Sequence, residues 1–259
     1  MAIIYCGKTK NNSYYIKEAD LHIKSMQELA YFIFNYAILI SNSFITKNLI
    51  VYMDKTLGFT KLASDINEMY NKKENLASIL THILLNSNYY NEDEVYKFRL
   101  ELLELLSLPA NEYIHKAGDK LFNLKKYEKA ITQYSKIMKE DDIALRNLAF
   151  CYAKLQFYDI AADYLGKLYH RTGNIEDLRE AYYSLKLGGN VNKIYEYESN
   201  ISDELLADWE YEIVSRIIKV RRSDELRNIE EIFLMGQDRV KENISTRIKI
   251  WKEKYRYIG

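Results

Sequence analysis

The side chain best placed to act as a nucleophile is Cys151. It lies beside Ala149 and Tyr152 in a stretch with the periodicity of a helix. A packed, apolar setting raises the pKa of a thiol and makes the thiol unreactive. We therefore expect Cys151 to fill a core position, and the sequence indicates no catalytic residue.

Residues that commonly bind metals or phosphates do not form a recognisable pattern. The histidines are dispersed at His22, His82, His115 and His170. Glycine-rich phosphate loops, the paired-histidine zinc motif and the serine nucleophile elbow are absent from the sequence. The acidic groups at 92–94 and 141–142 fit helix N-termini, where negative charge complements the helix dipole. We expect no metal, no cofactor and no enzymatic activity.

Charge and composition narrow the classes of partner. Lys+Arg and Asp+Glu number 37 each, so the formal net charge is zero. Nucleic-acid binding usually requires a basic excess, because phosphate neutralisation supplies much of the affinity. The longest apolar stretch, residues 29–40, is shorter than the ~20 residues of a membrane span. Cys6 and Cys151 do not indicate a disulfide framework. We expect a cytoplasmic protein that does not contact a membrane. The charge balance counts against nucleic-acid binding without excluding a local basic patch.

The scarcity of proline and glycine predicts an all-α fold. Pro109 is the single proline among 259 residues, and glycine occurs nine times. Proline breaks helix interiors, so its near absence fits a chain of long helices. Residues 1–24 differ: the segments 3–8 and 13–17 are β-branched and aromatic, with a turn signal at 10–12, and they predict a small β-hairpin.

Capping signals and apolar periodicity predict helices along the rest of the chain. Ser25 and Asn91 each begin a capping box, with Glu28 and Glu94 three residues later. The predicted helices span 25–40, 44–55, 59–71, 74–88, 91–107, 202–220 and 223–258. The predicted organisation is an N-terminal hairpin and helical domain over 1–109, repeats over 110–200 and capping helices over 201–259.

The segments beginning at Asn111 and Asp142 repeat each other. Small residues recur as Gly118 and Ala149, and large ones as Tyr134 and Leu165, each pair being 31 residues apart. Small residues let two antiparallel helices approach closely, and large ones fill the space between successive hairpins. A single hairpin cannot bury its apolar face alone, so the units must stack. A degraded third unit begins at Ile175.

This pattern resembles the tetratricopeptide repeat. The matching residues of the first unit are Gly118, Leu121, Tyr127, Ala130 and Tyr134. The resemblance covers roughly 110–200 and implies a helical-hairpin α-solenoid that works as a protein-interaction scaffold or adaptor. The whole chain is also similar to repeat proteins of anaerobic Firmicutes, which implies a bacterial source and no particular function.

The resemblance also implies where a partner would bind. In such repeats the first helix of each pair lines a concave groove that holds a peptide or a partner helix. The corresponding positions are His115, Asp119, Phe122, Asn123, Arg146, Asn147, Phe150, Lys154, Arg179 and Tyr183, with Glu176 and Lys186 less surely. The family's carboxylate clamp requires cations where Glu176 and Glu180 stand, so a mixed-charge ligand with an apolar anchor fits better than a terminal carboxylate.

A basic C-terminal segment supports an alternative hypothesis. Its cations and aromatics are Arg239, Lys241, Arg247, Lys249, Trp251, Lys252, Lys254, Tyr255, Arg256 and Tyr257. Interleaved in this way, they could stack on single-stranded nucleic acid, which would make the chain a regulatory nucleic-acid-binding protein. They fit equally well a helix C-terminus whose cations complement the dipole. The sequence does not identify the partner or the oligomeric state.

Overall fold

The computed structural model describes residues 12–199, 201–234 and 237–258, and the side chains of all of these except 225, 232, 234, 237–241 and 253–258. In this part the chain is all-α apart from one two-stranded hairpin, as the sequence predicts. It forms two compact units, whose described residues are 12–188 and 189–258. The predicted division at 109 and 200 stays a prediction.

The N-terminal hairpin pairs strand β1 (Tyr14–Ile16) with strand β2 (Leu21–Ile23) in antiparallel register, with Ile16 opposite Leu21. Its turn passes through Asp20, whose backbone is left-handed (φ 53°), a conformation that aspartate tolerates better than most residues. The strand predicted at 3–8 lies outside the described residues. Sequence reasoning missed β2, because three residues carry too little alternation to signal a strand.

The helices that follow the hairpin build the first core. They are α1 (Met26–Asn35), a 3-10 turn (Ala37–Leu39), α2 (Lys47–Val51), a π-helical turn (Tyr52–Thr56), α3 (Thr60–Asn71), α4 (Leu76–Leu85) and α5 (Glu92–Leu106). The capping box predicted at Asn91 forms in full with Glu94. At Ser25 only half of the predicted box forms: the serine accepts from the Glu28 N–H, but the Glu28 carboxylate accepts from the Lys24 N–H and not from that of Ser25. Helix α1 was predicted to end at Ile40 but ends at Asn35, and the 3-10 turn follows it at Ala37–Leu39.

The repeated segment forms five successive helices. They are α6 (Ala110–Asn123), α7 (Tyr127–Ile137), α8 (Asp142–Lys154), α9 (Tyr158–Thr172) and α10 (Ile175–Gly188). Each packs against the next, and α6 packs against the 3-10 turn, which ties this stack to the first core. The turns inside the first two pairs contain Lys125 and Gln156, both left-handed, at the repeat spacing. The sequence repeat is therefore also a repeat of backbone conformation.

Within the first helix pair the small residue Gly118 meets the large residue Tyr134, a contact that the sequence pattern does not predict. Tyr134 of α7 is fully buried, and a Cβ built on Gly118 of α6 would lie 2.5 Å from its ring. Ala130 and Ala161 are also fully buried. Cys151 lies in the same core, and burial raises the pKa of its thiol to about 12. The prediction that Cys151 is a buried core residue is confirmed.

The second unit is helical throughout its described residues. It contains α11 (Val191–Glu198), α12 (Asp203–Arg221), α13 (Asp224–Leu234) and α14 (Gln237–Ile258). The helix predicted over 223–258 is thus described as two helices, on either side of residues 235–236. On α12, Trp209 is buried, whereas Ile217 and Ile218 are exposed.

In the described residues, no helix combines the length and the hydropathy needed to cross a membrane.

The contact between Gly118 and Tyr134 gives a test of the packing. Gly118→Ala adds a methyl group at 2.5 Å from the ring. Overpacking of this kind costs about 1–3 kcal/mol, and the better helix propensity of alanine returns about 1 kcal/mol. We expect a net loss of about 1 kcal/mol in the free energy of unfolding, measured by urea denaturation. The same substitution should cost less in a Tyr134→Leu background. The resulting double variant has the alanine and leucine that the second repeat carries at Ala149 and Leu165. Equal costs in both backgrounds would show that the ring does not limit the approach.

Candidate functional site

The predicted groove residues lie on α6, α8 and α10, the first helices of the three units. The structure divides them into two groups. The polar residues His115, Asp119, Arg146 and Asn147 already bind other residues of the chain. Phe122, Phe150 and Lys154 border an apolar depression at the carboxyl ends of the helices. Asn123 is exposed at the end of α6.

His115 joins two carboxylates through its two ring nitrogens. Nδ1 lies 2.5 Å from a carboxylate oxygen of Asp141, and Nε2 lies 3.6 Å from one of Asp119. Asp141 caps α8, where it accepts from the Ala144 N–H at 2.9 Å. The ring therefore couples α6 to the start of α8. Because its nitrogens point at carboxylates on opposite sides, these groups do not converge on one point, and no metal-binding cluster occurs among the described residues.

Asp119 is the centre of a hydrogen-bond network. It accepts from the Tyr134 hydroxyl at 2.6 Å and from the Asn147 side-chain amide at 3.2 Å. Burial, together with the bond to this carboxylate, raises the pKa of Tyr134 well above its usual range, so the hydroxyl remains a donor. With His115 and Asp141, these residues form what we call the polar network. Asn147, one of the predicted groove residues, is a member of it.

Arg146 forms a two-point ion pair with Asp177 at the start of α10. Nε and Nη2 of the guanidinium lie 2.7 and 2.9 Å from the two carboxylate oxygens. The Asp177 side chain is only 2% exposed, whereas Arg146 remains partly exposed. The pair raises the pKa of Arg146 and fixes the first helix of the second unit to that of the third. Arg146 was predicted to bind a ligand in the groove, and Asp177 was not among the predicted site residues.

Farther along α10, Arg179 donates to Glu176, and its guanidinium lies over the Tyr183 ring at 6.0 Å from the centroid. Its Nε is buried and has no hydrogen-bond partner. Arg179 and Tyr183 thus lie together on α10, as two groove positions should. Because Glu176 partly neutralises Arg179, Arg179 attracts an acidic ligand less strongly.

The apolar depression encloses about 520 Å³. It is lined by Phe122, Phe150, Ala153, Lys154, Gln156, Tyr158 and Leu187. These residues come from the ends of α6, α8 and α10, from the turn before α9 and from the first residue of α9. The depression therefore crosses all three sequence repeats. Leu187 is 70% exposed at its rim, and Lys154 supplies a cation at the same place. Four lining residues were not predicted from the sequence, because they do not occupy groove positions of the repeat: Ala153, Gln156, Tyr158 and Leu187.

The basic segment of the alternative hypothesis lies on α14. Its described side chains include Arg247, Lys249, Trp251 and Lys252, and Trp251 is 53% exposed. At 100° per residue, Arg247 and Trp251 lie on one face, and Lys249 and Lys252 lie on a different one. Arg239, Lys241, Lys254, Tyr255, Arg256 and Tyr257 fall outside the described side chains. A nucleic-acid site on this helix stays a hypothesis.

Comparison with protein-family models, curated proteins and solved structures finds no match for this chain. The tetratricopeptide resemblance therefore depends on the repeat residues alone.

Breaking the Arg146–Asp177 pair should destabilise the fold much more than breaking an exposed ion pair. Arg146→Met leaves the buried Asp177 carboxylate without a cation, with only the Thr172 hydroxyl 3.5 Å away, which costs about 3 kcal/mol. The matched control is Arg216→Met, which breaks an exposed pair with Glu212, and such pairs contribute only ~0.5 kcal/mol. Chemical denaturation of both variants checks this difference. Adding Asp177→Leu to Arg146→Met should recover much of the loss. Equal stability of the two single variants would contradict a structural role for the pair.

Asp141 predicts a pH dependence. Burial raises its pKa, but the hydrogen bonds from the Ala144 N–H and from His115 outweigh burial, so the net pKa is lowered. Because its pKa is lower in the folded state, the ionised Asp141 stabilises the fold at pH values above its unfolded-state pKa of about 4. This stabilisation is lost as the pH falls through the folded-state pKa. Asp141→Asn keeps a capping oxygen and removes the charge. The variant should be less stable than the parent at neutral pH, and the gap should close in acid. Asp208→Asn, at an exposed position inside α12, is the control, and a gap independent of pH would contradict the assignment.

Proposed function

We propose that this chain is a non-catalytic protein-interaction scaffold or adaptor that binds a peptide or a partner helix along α6, α8 and α10. The apolar depression is the observation that carries the proposal. Three successive helix pairs contribute to it, and exposed apolar surface at such a place is characteristic of a binding site. The resemblance to tetratricopeptide repeats, whose grooves hold peptides, supports the same location.

The chemistry of the depression defines the ligand. Phe122, Phe150, Tyr158 and Leu187 favour an aromatic or aliphatic anchor, because its burial against them removes apolar surface from water. Lys154 favours a carboxylate next to that anchor. A carboxylate clamp is not proposed, because Asn147 and Arg146 are bound within the chain.

The absence of catalysis is part of the proposal. The thiol of Cys151 is buried with a pKa raised to about 12, and the Tyr134 hydroxyl is buried and held by Asp119. Both are poor nucleophiles at neutral pH. Asp141 caps a helix and Asp177 neutralises an arginine, so structural roles account for these carboxylates.

Selection from a displayed random-peptide library tests this function. We expect enriched peptides to share an aromatic or aliphatic residue next to Asp or Glu. Fluorescence anisotropy with a labelled enriched peptide then measures affinity. Leu187→Ser removes an exposed lining residue, and Lys154→Glu reverses the local charge. Each should weaken binding about tenfold, equivalent to ~1.4 kcal/mol.

The matched control is Lys136→Glu, the same change at an exposed position of α7, which should leave the affinity unchanged. Two results would overturn the proposal: a library that yields no shared motif, or enriched peptides whose binding is insensitive to both lining substitutions.

A further inference from the structure

Helix α5 has a second apolar face that nothing in its own unit requires. Its inner face is formed by Val95, Phe98 and Leu102, all buried in the first core. On the other side Tyr96, Leu100 and Leu103 are 64%, 51% and 48% exposed. We call these three residues the outer stripe. A helix that needed only to cover the first core would carry polar residues there.

The spacing of the outer stripe is that of a helix–helix seam. Tyr96, Leu100 and Leu103 follow the four-then-three alternation of core positions in a coiled coil. They fall within about 60° of one another around the helix axis. The buried residues of α5 centre roughly 140° away. The outer stripe can therefore pack against another helix without disturbing the inner face.

The charges beside the outer stripe identify the other helix. Lys97 and Glu104 are both exposed. They are two helical turns apart, so both flank the stripe on the same side, with the cation nearer the N-terminus. When two copies of α5 meet antiparallel about a two-fold axis, the same flank of each copy comes together. Lys97 of one copy then lies beside Glu104 of the other, twice in the dimer.

The apolar residues match under the same symmetry. With Lys97 level with Glu104, Leu100 of one copy lies between Leu100 and Leu103 of the other, about 1.5 and 3 Å from them along the helix axis, and Tyr96 lies toward each end. The antiparallel arrangement also opposes the two helix dipoles. A parallel pair would align the dipoles and place Arg99 on the flank that faces Lys97 of the second copy. A surface that is complementary to itself in shape and charge is what an isologous two-fold interface requires.

We propose that the chain forms a two-fold symmetric dimer through the outer stripe, with α5 packed antiparallel against α5 of a second copy. This interface lies on a different helix from those that line the apolar depression. It thus leaves that depression open and gives each dimer two of them. The dimer does not depend on the proposed peptide binding.

Sedimentation equilibrium of the full chain over a wide concentration range tests the proposal. The parent should show a reversible monomer–dimer equilibrium. Leu100→Glu with Leu103→Glu should be monomeric at every concentration. Because both leucines are exposed in the monomer, the variant should keep the circular dichroism spectrum and the thermal midpoint that the parent shows at monomeric dilution.

Charge reversal provides a test that does not disturb the leucines. Lys97→Glu and Glu104→Lys should each weaken the dimer about tenfold, since each places two like-charged contacts in the interface. The double variant should restore the parental dissociation constant. Lys61→Glu makes the same charge change on exposed α3 and should have no effect.

Three results would overturn the proposal. The parent could remain monomeric throughout, or it could dimerise with an affinity that neither the leucine nor the charge variants change. In the third, the leucine variant lowers the thermal midpoint of a monomeric parent, which would mean that the same chain covers the outer stripe.

Discussion

The arrangement of the helix stack depends on how Tyr134 is packed. Its ring lies against the bare backbone of Gly118, closer than any side chain there would allow, and its hydroxyl donates to Asp119. One side chain thus sets the distance between α6 and α7 and also orients a carboxylate on the first helix of the pair. Through Asp119 the same contact reaches Asn147 on α8. Apolar packing within a pair and polar bonding between pairs are consequently fixed together.

Polar residues at the predicted groove positions hold the stack together and have few hydrogen-bonding groups left for a ligand. The polar network joins α6 to α8, and the Arg146–Asp177 pair joins α8 to α10. Buried charges require such partners, because an unpaired carboxylate in this position carries a large desolvation cost. A rigid stack with an internally neutralised face leaves recognition to the apolar depression, where only Lys154 adds a charge. Specificity would then come from shape and from one electrostatic contact.

The two proposed binding surfaces both expose apolar side chains, but they differ in shape. The apolar depression is a concave place where successive helices end, which suits a side chain inserted from a partner. The outer stripe of α5 is a convex ridge, which suits another ridge of the same kind. If both are occupied, one dimer presents two depressions, and a partner with two anchors would bind with the gain in effective concentration that multivalency provides. The scaffold hypothesis thereby gains an assembly that a single chain cannot supply.

Local patterns in the sequence determined the all-α class, the N-caps of α1 and α5, and the buried position of Cys151 in the repeat. Each depends on residues whose spacing fixes their relation, either along one helix or at the repeat period. The sequence also located Arg146 and Asn147 on the face that the first helices share. Their partners were beyond it: Asp177 comes to Arg146, and Asp141 to His115, only when separate helices stack. The strand at Leu21–Ile23 was missed because three residues carry too little alternation, and Leu187 was missed because it does not occupy a groove position of the repeat. Whether a polar side chain awaits a ligand or already has a partner is decided by distances across helices, and only the tertiary structure sets those.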